Sequence, residues 1–145
     1  MGMKIIGEDG SLLYEFRDGL GAPLLYRLLA VAKFTGEDQK EIILNPHVAE
    51  LHKAIASAMA SHLRAPVRAP AVEEMSRDLQ LRVRNVLRSA VLGGQHEWLS
   101  WDEATKAEYV RSILFAPYGV SEQFVSDFVE EEDSYYAGVR RSLDR

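Results

Sequence analysis

Ala71-Val72-Glu73-Glu74-Met75-Ser76-Arg77-Asp78-Leu79-Gln80-Leu81-Arg82-Val83-Arg84-Asn85-Val86-Leu87-Arg88-Ser89-Ala90-Val91-Leu92 is the stretch whose reading decides the fold. Val72, Met75, Leu79, Val83, Val86, Leu87 and Ala90 recur at the three-to-four spacing of a helix with one buried side. The stretch is predicted to be the longest uninterrupted helix of the chain, ended by Gly93-Gly94. Just before it stands Arg64-Ala65-Pro66-Val67-Arg68-Ala69-Pro70, whose two prolines exclude regular helix. That segment, 64–70, reads as a linker. It joins layers of a single domain over 1–145, or two subdomains over 1–64 and 71–145.

Upstream, residues 47–63 read as an alanine-rich helix with Val48, Leu51, Ile55, Met59 and Leu63 on one side. Residues 22–34 read as another, with a stripe of Leu24, Leu25, Leu28, Leu29 and Ala32 and with Pro23 in the first turn, where a missing N–H does no harm. Over residues 4–16, two apolar segments flank Glu8-Asp9-Gly10-Ser11, which predicts a β-hairpin. A two-stranded ribbon is marginal alone, so it needs helices or a further strand. Glu41-Ile42-Ile43-Leu44 is too short for periodicity to separate strand from helical turn, and we read it as that third strand.

Downstream, Ser100-Trp101-Asp102-Glu103 has the form of a capping box. It opens a helix to residue 115, with Ala107, Val110, Ile113 and Leu114 inward. Pro117-Tyr118-Gly119 breaks the chain, and Ser121 caps a last helix to residue 143. Its inner side is Phe124, Val125, Phe128, Tyr135, Val139 and Leu143. The fold class is therefore mainly α (α+β): about five helices packed as a bundle, with a small N-terminal β-hairpin or three-stranded sheet. A doubly wound sheet is excluded, because alternating strand–helix units are absent.

The chain has 145 residues, enough to bury a core without staples. It has no Cys, which excludes disulfides, thiolate zinc sites and a cysteine nucleophile. The first residues turn polar too soon for a signal peptide, Ile6 departs from a myristoylation site, and no apolar run could span a membrane. The expected location is cytoplasmic.

Chemistry-bearing patterns are sparse. His47 and His52 lie about 140° apart on a helix and cannot share a metal. His52 and His62 read as partly buried, hydrogen-bonded side chains. His96-Glu97 sits in a loop and could supply a general base, but adjacent side chains diverge and no nucleophile is identifiable. No phosphate loop follows Gly93-Gly94. Among the late carboxylates, Asp127/Glu130 and Glu130/Asp133 are i,i+3 pairs able to converge on Mg²⁺. This pattern resembles all-helical nucleotide pyrophosphohydrolases, and the resemblance implies a metal-dependent nucleotide hydrolase. Such a site needs a facing acidic pair, for which Glu73, Glu74 and Asp78 are poorly spaced. An acidic run is more often a solvated face. No catalytic residue, cofactor or metal ligand is assigned.

Arg77, Arg84 and Arg88 fall within about 40° of one another, opposite the apolar side of their helix. That stripe suits phosphate or an acidic partner and gives the reading of a nucleic-acid-associated regulator. The ordinary alternative is solubility with local pairing, as between Asp78 and Arg82. Gly119-Val120-Ser121 with Val125-Ser126 resembles the turn and second helix of helix-turn-helix proteins. Phe115 stands where a small residue is expected, Pro117 interrupts the first helix, and the second carries acids that phosphates would repel.

Nine of thirteen aromatics follow Gly94. Residues 61–93 hold six basic and three acidic side chains, whereas residues 94–145 hold five and eleven. An acidic, aromatic C-terminal third suits protein recognition, where Tyr and Trp are enriched. The leading reading is a small non-enzymatic protein-binding or regulatory factor of inhibitor, immunity or adaptor type. Its expected contacts are Trp98, Trp101, Tyr118, Tyr135 and Tyr136, with Glu130, Glu131 and Asp133 as a charged rim. The partner is a basic protein or a second copy of the chain; nucleic acid ranks below these, and no membrane is involved.

Overall fold

The computed structural model describes residues 3–8, 11–16, 21–35, 42–63 and 69–145, with side chains described from Tyr26 onward at most of these positions. The described part is mainly helical, with five α-helices: α1 (Gly21–Thr35), α2 (Pro46–Leu63), α3 (Arg77–Leu92), α4 (Glu103–Tyr109) and α5 (Glu122–Leu143). The side chains of the hairpin expected over 4–16, the linker residues 64–68 and His62 lie outside the described residues.

Ile42 and Ile43 are helical, which overturns the third strand. Asn45 explains the outcome. Its Oδ1 accepts from the His47 amide at 2.9 Å and its carbonyl from Val48 at 3.2 Å, so the chain turns directly into α2. Ile43 is fully buried at this turn.

The long helix over 71–92 is divided. Val72–Glu74 is a single 3₁₀ turn, and Ser76 is extended, capping α3 through its hydroxyl and the Leu79 amide at 3.2 Å. The segment ahead of the break is anchored to another part of the chain. The Val72 amide bonds to the Gly119 carbonyl at 2.9 Å, and the Gly119 amide to the Pro70 carbonyl at 2.7 Å. The end of the linker thus pairs with the turn before α5 instead of continuing a helix. The buried side is nonetheless the expected one: Val72, Met75, Val83, Leu87 and Ala90 are all in the interior. Gly94, at φ +71°, completes the stop after α3 in a conformation glycine adopts freely.

Asp102, not Ser100, caps α4, accepting from the Thr105 amide at 2.8 Å. Ser100 ends a 3₁₀ turn, Trp98–Ser100, and donates its hydroxyl to the Glu97 carbonyl at 2.7 Å. Beyond Tyr109 the helix widens into a π-helical stretch, Val110–Leu114. Ser121 caps α5 as expected, accepting from the Phe124 amide at 3.1 Å.

The interior is aromatic. Phe115 packs edge-on to Phe124 and Phe128 at 5.1 and 5.4 Å between ring centres, and Trp98 meets Phe128 at 6.3 Å. Phe34 of α1 and Ile43 belong to the same core as α3, α4 and α5. Two expectations about helix faces fail. Leu28 and Leu143 are exposed, while Lys33 is wholly buried. Its Nζ donates to the carbonyls of Ile113 and Ala116 at 2.7 and 2.6 Å. Carbonyls at a helix end have no intrahelical acceptor role to fill, so a buried ammonium can use them.

Candidate functional site

The basic middle and the acidic C-terminus meet each other. Glu132 is fully buried between α5 and α3, where Arg88 grips it through Nε at 3.0 Å and Nη2 at 2.9 Å. Arg84 Nη1 lies 3.2 Å from Glu132 and 2.7 Å from Glu131. The same two guanidinium groups cover aromatic faces, Arg84 over Phe128 at 4.7 Å and Arg88 over Tyr135 at 3.8 Å. The next residue, Asp133, accepts from Trp98 Nε1 at 2.9 Å and from Lys106 Nζ at 3.0 Å. These contacts form a clasp joining α3, α4 and α5.

The clasp relocates most of the expected contact residues. Trp98 and Tyr136 are core side chains, not surface anchors: Trp98 is fully buried and Tyr136 is 2% exposed. Tyr136 Oη is buried beside the Glu132 carboxylate, and burial, reinforced by that carboxylate, pushes the pKa of its hydroxyl upward. Tyr135 is half-buried beneath Arg88, and Tyr118 is half-buried against Phe34 at 5.5 Å. Glu131 and Asp133 are held by Arg84 and Lys106, while Glu130 is exposed.

Of the arginine stripe, Arg84 and Arg88 face α5 and only Arg77 is exposed outside the clasp. Among the described residues no group of three or more His, Asp and Glu is placed to hold a metal. Likewise, no helix among them is long and apolar enough to cross a membrane. Phe115, which stands where a helix-turn-helix protein is expected to have a small residue, is buried against Phe124 and Phe128 of α5.

Trp101 borders the larger of two concavities lined by expected anchors among the described residues; Tyr118 lines the smaller. A groove of about 720 Å³ runs between the start of α2, the 95–97 loop and α4. Its walls include Leu44, Pro46, His96, Trp101, Tyr109 and Ile113. His96 sits edge-on between the Trp101 and Tyr109 rings, at 5.0 and 5.1 Å. Its Nδ1 accepts from the Trp98 amide at 3.1 Å, which assigns the ring proton to Nε2. Burial holds His96 below its ordinary pKa, against the opposing pull of Glu97. Tyr109 Oη donates to the Leu44 carbonyl at 3.0 Å and ties α4 to the turn before α2. Glu97 and Glu108 also line the groove, and among the described residues neither Lys nor Arg does. Glu108 accepts from Arg111 at 2.5 Å and from the Ser112 hydroxyl.

Chemically the groove offers aromatic walls, an imidazole and two carboxylates. Sequence reading had singled out Trp101 and His96 separately. Tyr109 and Leu44 escaped it, because a helix-face pattern cannot show which distant turn completes a groove. No family model, curated protein or solved structure matches the chain.

Proposed function

We propose that this protein is a non-enzymatic binding factor, of inhibitor, immunity or adaptor type, that receives a basic partner segment in the groove beside Trp101. The observation that carries the reading is the groove itself. It has room for a large side chain, its walls are aromatic, and its charged lining residues, among those described, are both acidic. The anchor of the partner is an apolar or aromatic side chain, flanked by Lys or Arg that meet Glu97 and Glu108. The net charge of residues 94–145, five basic against eleven acidic, would speed encounter with such a segment.

Three coarser readings belong to the same proposal. The chain acts as one domain, supported by Lys33 and Tyr109, which bond across the linker to Ile113 and Leu44. The N-terminal hairpin is part of it, supported by antiparallel pairing of Met3–Glu8 with Ser11–Phe16. The setting is the cytoplasm, consistent with the absence of Cys. Homodimerisation is the nearest variant, and light scattering distinguishes it.

A displayed library of random peptides, selected on the purified protein, tests the proposal. Sequences with Trp, Phe or Leu beside Lys or Arg should enrich. Trp101→Ala should weaken the best of them roughly thirtyfold, as loss of a central aromatic anchor does. Glu97→Arg should weaken the basic ones selectively. Failure to enrich, or enrichment indifferent to Trp101→Ala with circular dichroism unchanged, would remove the reading.

A further inference from the structure

His96 forms part of the groove wall and also holds its own loop closed. The ring is half-buried, edge-on to both Trp101 and Tyr109, and its Nδ1 accepts from the Trp98 amide at 3.1 Å. Only an unprotonated Nδ1 can accept that bond. The imidazolium carries N–H at both nitrogens, so a proton on Nδ1 sets two donors against each other. Trp98 is fully buried, which makes the loss of the acceptor for its amide costly.

The backbone on either side of His96 is tied. The Gln95 amide donates to the Ala90 carbonyl at 2.9 Å. The Glu97 carbonyl accepts from the Ser100 amide at 2.9 Å and from its hydroxyl at 2.7 Å. The imidazole ring is therefore the part free to leave when the donors conflict.

The surrounding charges are mostly engaged elsewhere. Glu97, next in sequence, favours the imidazolium, and burial outweighs it. On α4, Glu108 is bound by Arg111 and Ser112, Lys106 pairs with Asp133, and Asp102 accepts from the Thr105 amide. The Tyr109 hydroxyl donates to the Leu44 carbonyl. At the start of α2, His47 lies 3.8 Å from Glu50.

We propose that His96 is an acid-operated latch on the groove. A proton on Nδ1 breaks the bond to Trp98, swings the ring away from Trp101 and Tyr109, and loosens the hold on the partner segment, this last step resting on the reading of the groove as a partner site.

Two measurements separate the latch from the partner. The first uses the full chain alone, from pH 7.5 to pH 4.5, over the range where circular dichroism is unchanged. The Trp98 amide and His96 ring resonances should move together, with a midpoint below 6.5. Quenching of tryptophan fluorescence by acrylamide should rise with them, reporting Trp101 because Trp98 is buried. His96→Asn keeps a side-chain acceptor for the amide two residues on but cannot titrate, so it should show no step. The second uses the selected peptides. They should bind the wild type roughly tenfold more weakly at pH 5 than at pH 7.5, the scale of one lost hydrogen bond. In His96→Asn their affinity should not change over that range. No step in the protein alone, or the same step in His96→Asn, would overturn the latch whatever the peptides do. A step without any enriching peptide would support the latch and remove the groove as a partner site. A step with peptide affinity unchanged by pH would overturn the coupling to binding.

Discussion

His52 and Lys33 are bases kept in the interior, and each makes stability depend on pH. Burial, helped by Lys33, lowers His52 from 6.5 to about 4. The unfolded chain therefore takes up a proton first as pH falls. The stability due to neutral His52 is complete above pH 6.5 and is lost between there and about 4, on the order of 3 kcal/mol. Burial lowers Lys33 from 10.5 to about 7, because its two carbonyl partners hold the ammonium without cancelling its charge. The same sign applies: stability rises with pH from about 7 towards 10.5. Tyr109 and Tyr136 act oppositely, since burial raises both hydroxyls and favours the folded protein only while they keep their protons. Urea midpoints should thus climb from pH 5 to 9 and fall above 10. His52→Leu should flatten the acid limb and Lys33→Met the limb between 7 and 9. Neither base could be located from sequence, because a single Lys or His in a helix says nothing about the carbonyls or rings it will meet.

At the scale of the element, caps separate what local sequence encodes from what it only suggests. Ser121 holds the first turn of α5, and Ser121→Ala should cost about 1 kcal/mol. Ser100, equally plausible as a cap by its spacing, bonds the end of a 3₁₀ turn instead. Ser100→Ala should therefore cost well under half as much, and chemical denaturation of the two variants compares them directly. The α3 boundary has the same lesson. Hydrophobic period carries a helix back to residue 71, but the Val72 amide is claimed by Gly119, forty-seven residues on. Period reports which side is buried; it does not report which backbone partner wins.

For the whole molecule, the decisive contact is the clasp. The charge asymmetry, basic over 61–93 and acidic over 94–145, is in part folded against itself through Arg84, Arg88, Glu131 and Glu132. Removing the buried carboxylate leaves Arg88 without its counter-ion and Arg84 with Glu131 alone. Glu132→Gln should cost about 3 kcal/mol in equilibrium unfolding, the lower end for a buried pair because both arginines retain some solvent access. Molar salt should recover little of that difference, since buried pairs are weakly screened. Glu130→Gln, on the exposed side, should be nearly neutral.

The sequence by itself determined the mainly helical class, the Gly and Pro breaks, the Ser121 cap and the buried side of α3. All of these follow from interactions within a few residues, or from the periodicity of one helix. Tertiary structure alone decided that Trp98 and Tyr136 are core, that Arg84 and Arg88 pair with Glu131 and Glu132, and that Leu44, His96, Trp101 and Tyr109 share a groove. Each depends on which faces of distant helices meet, and charge or aromatic content on one helix is the same whether it faces solvent, a partner or its own chain.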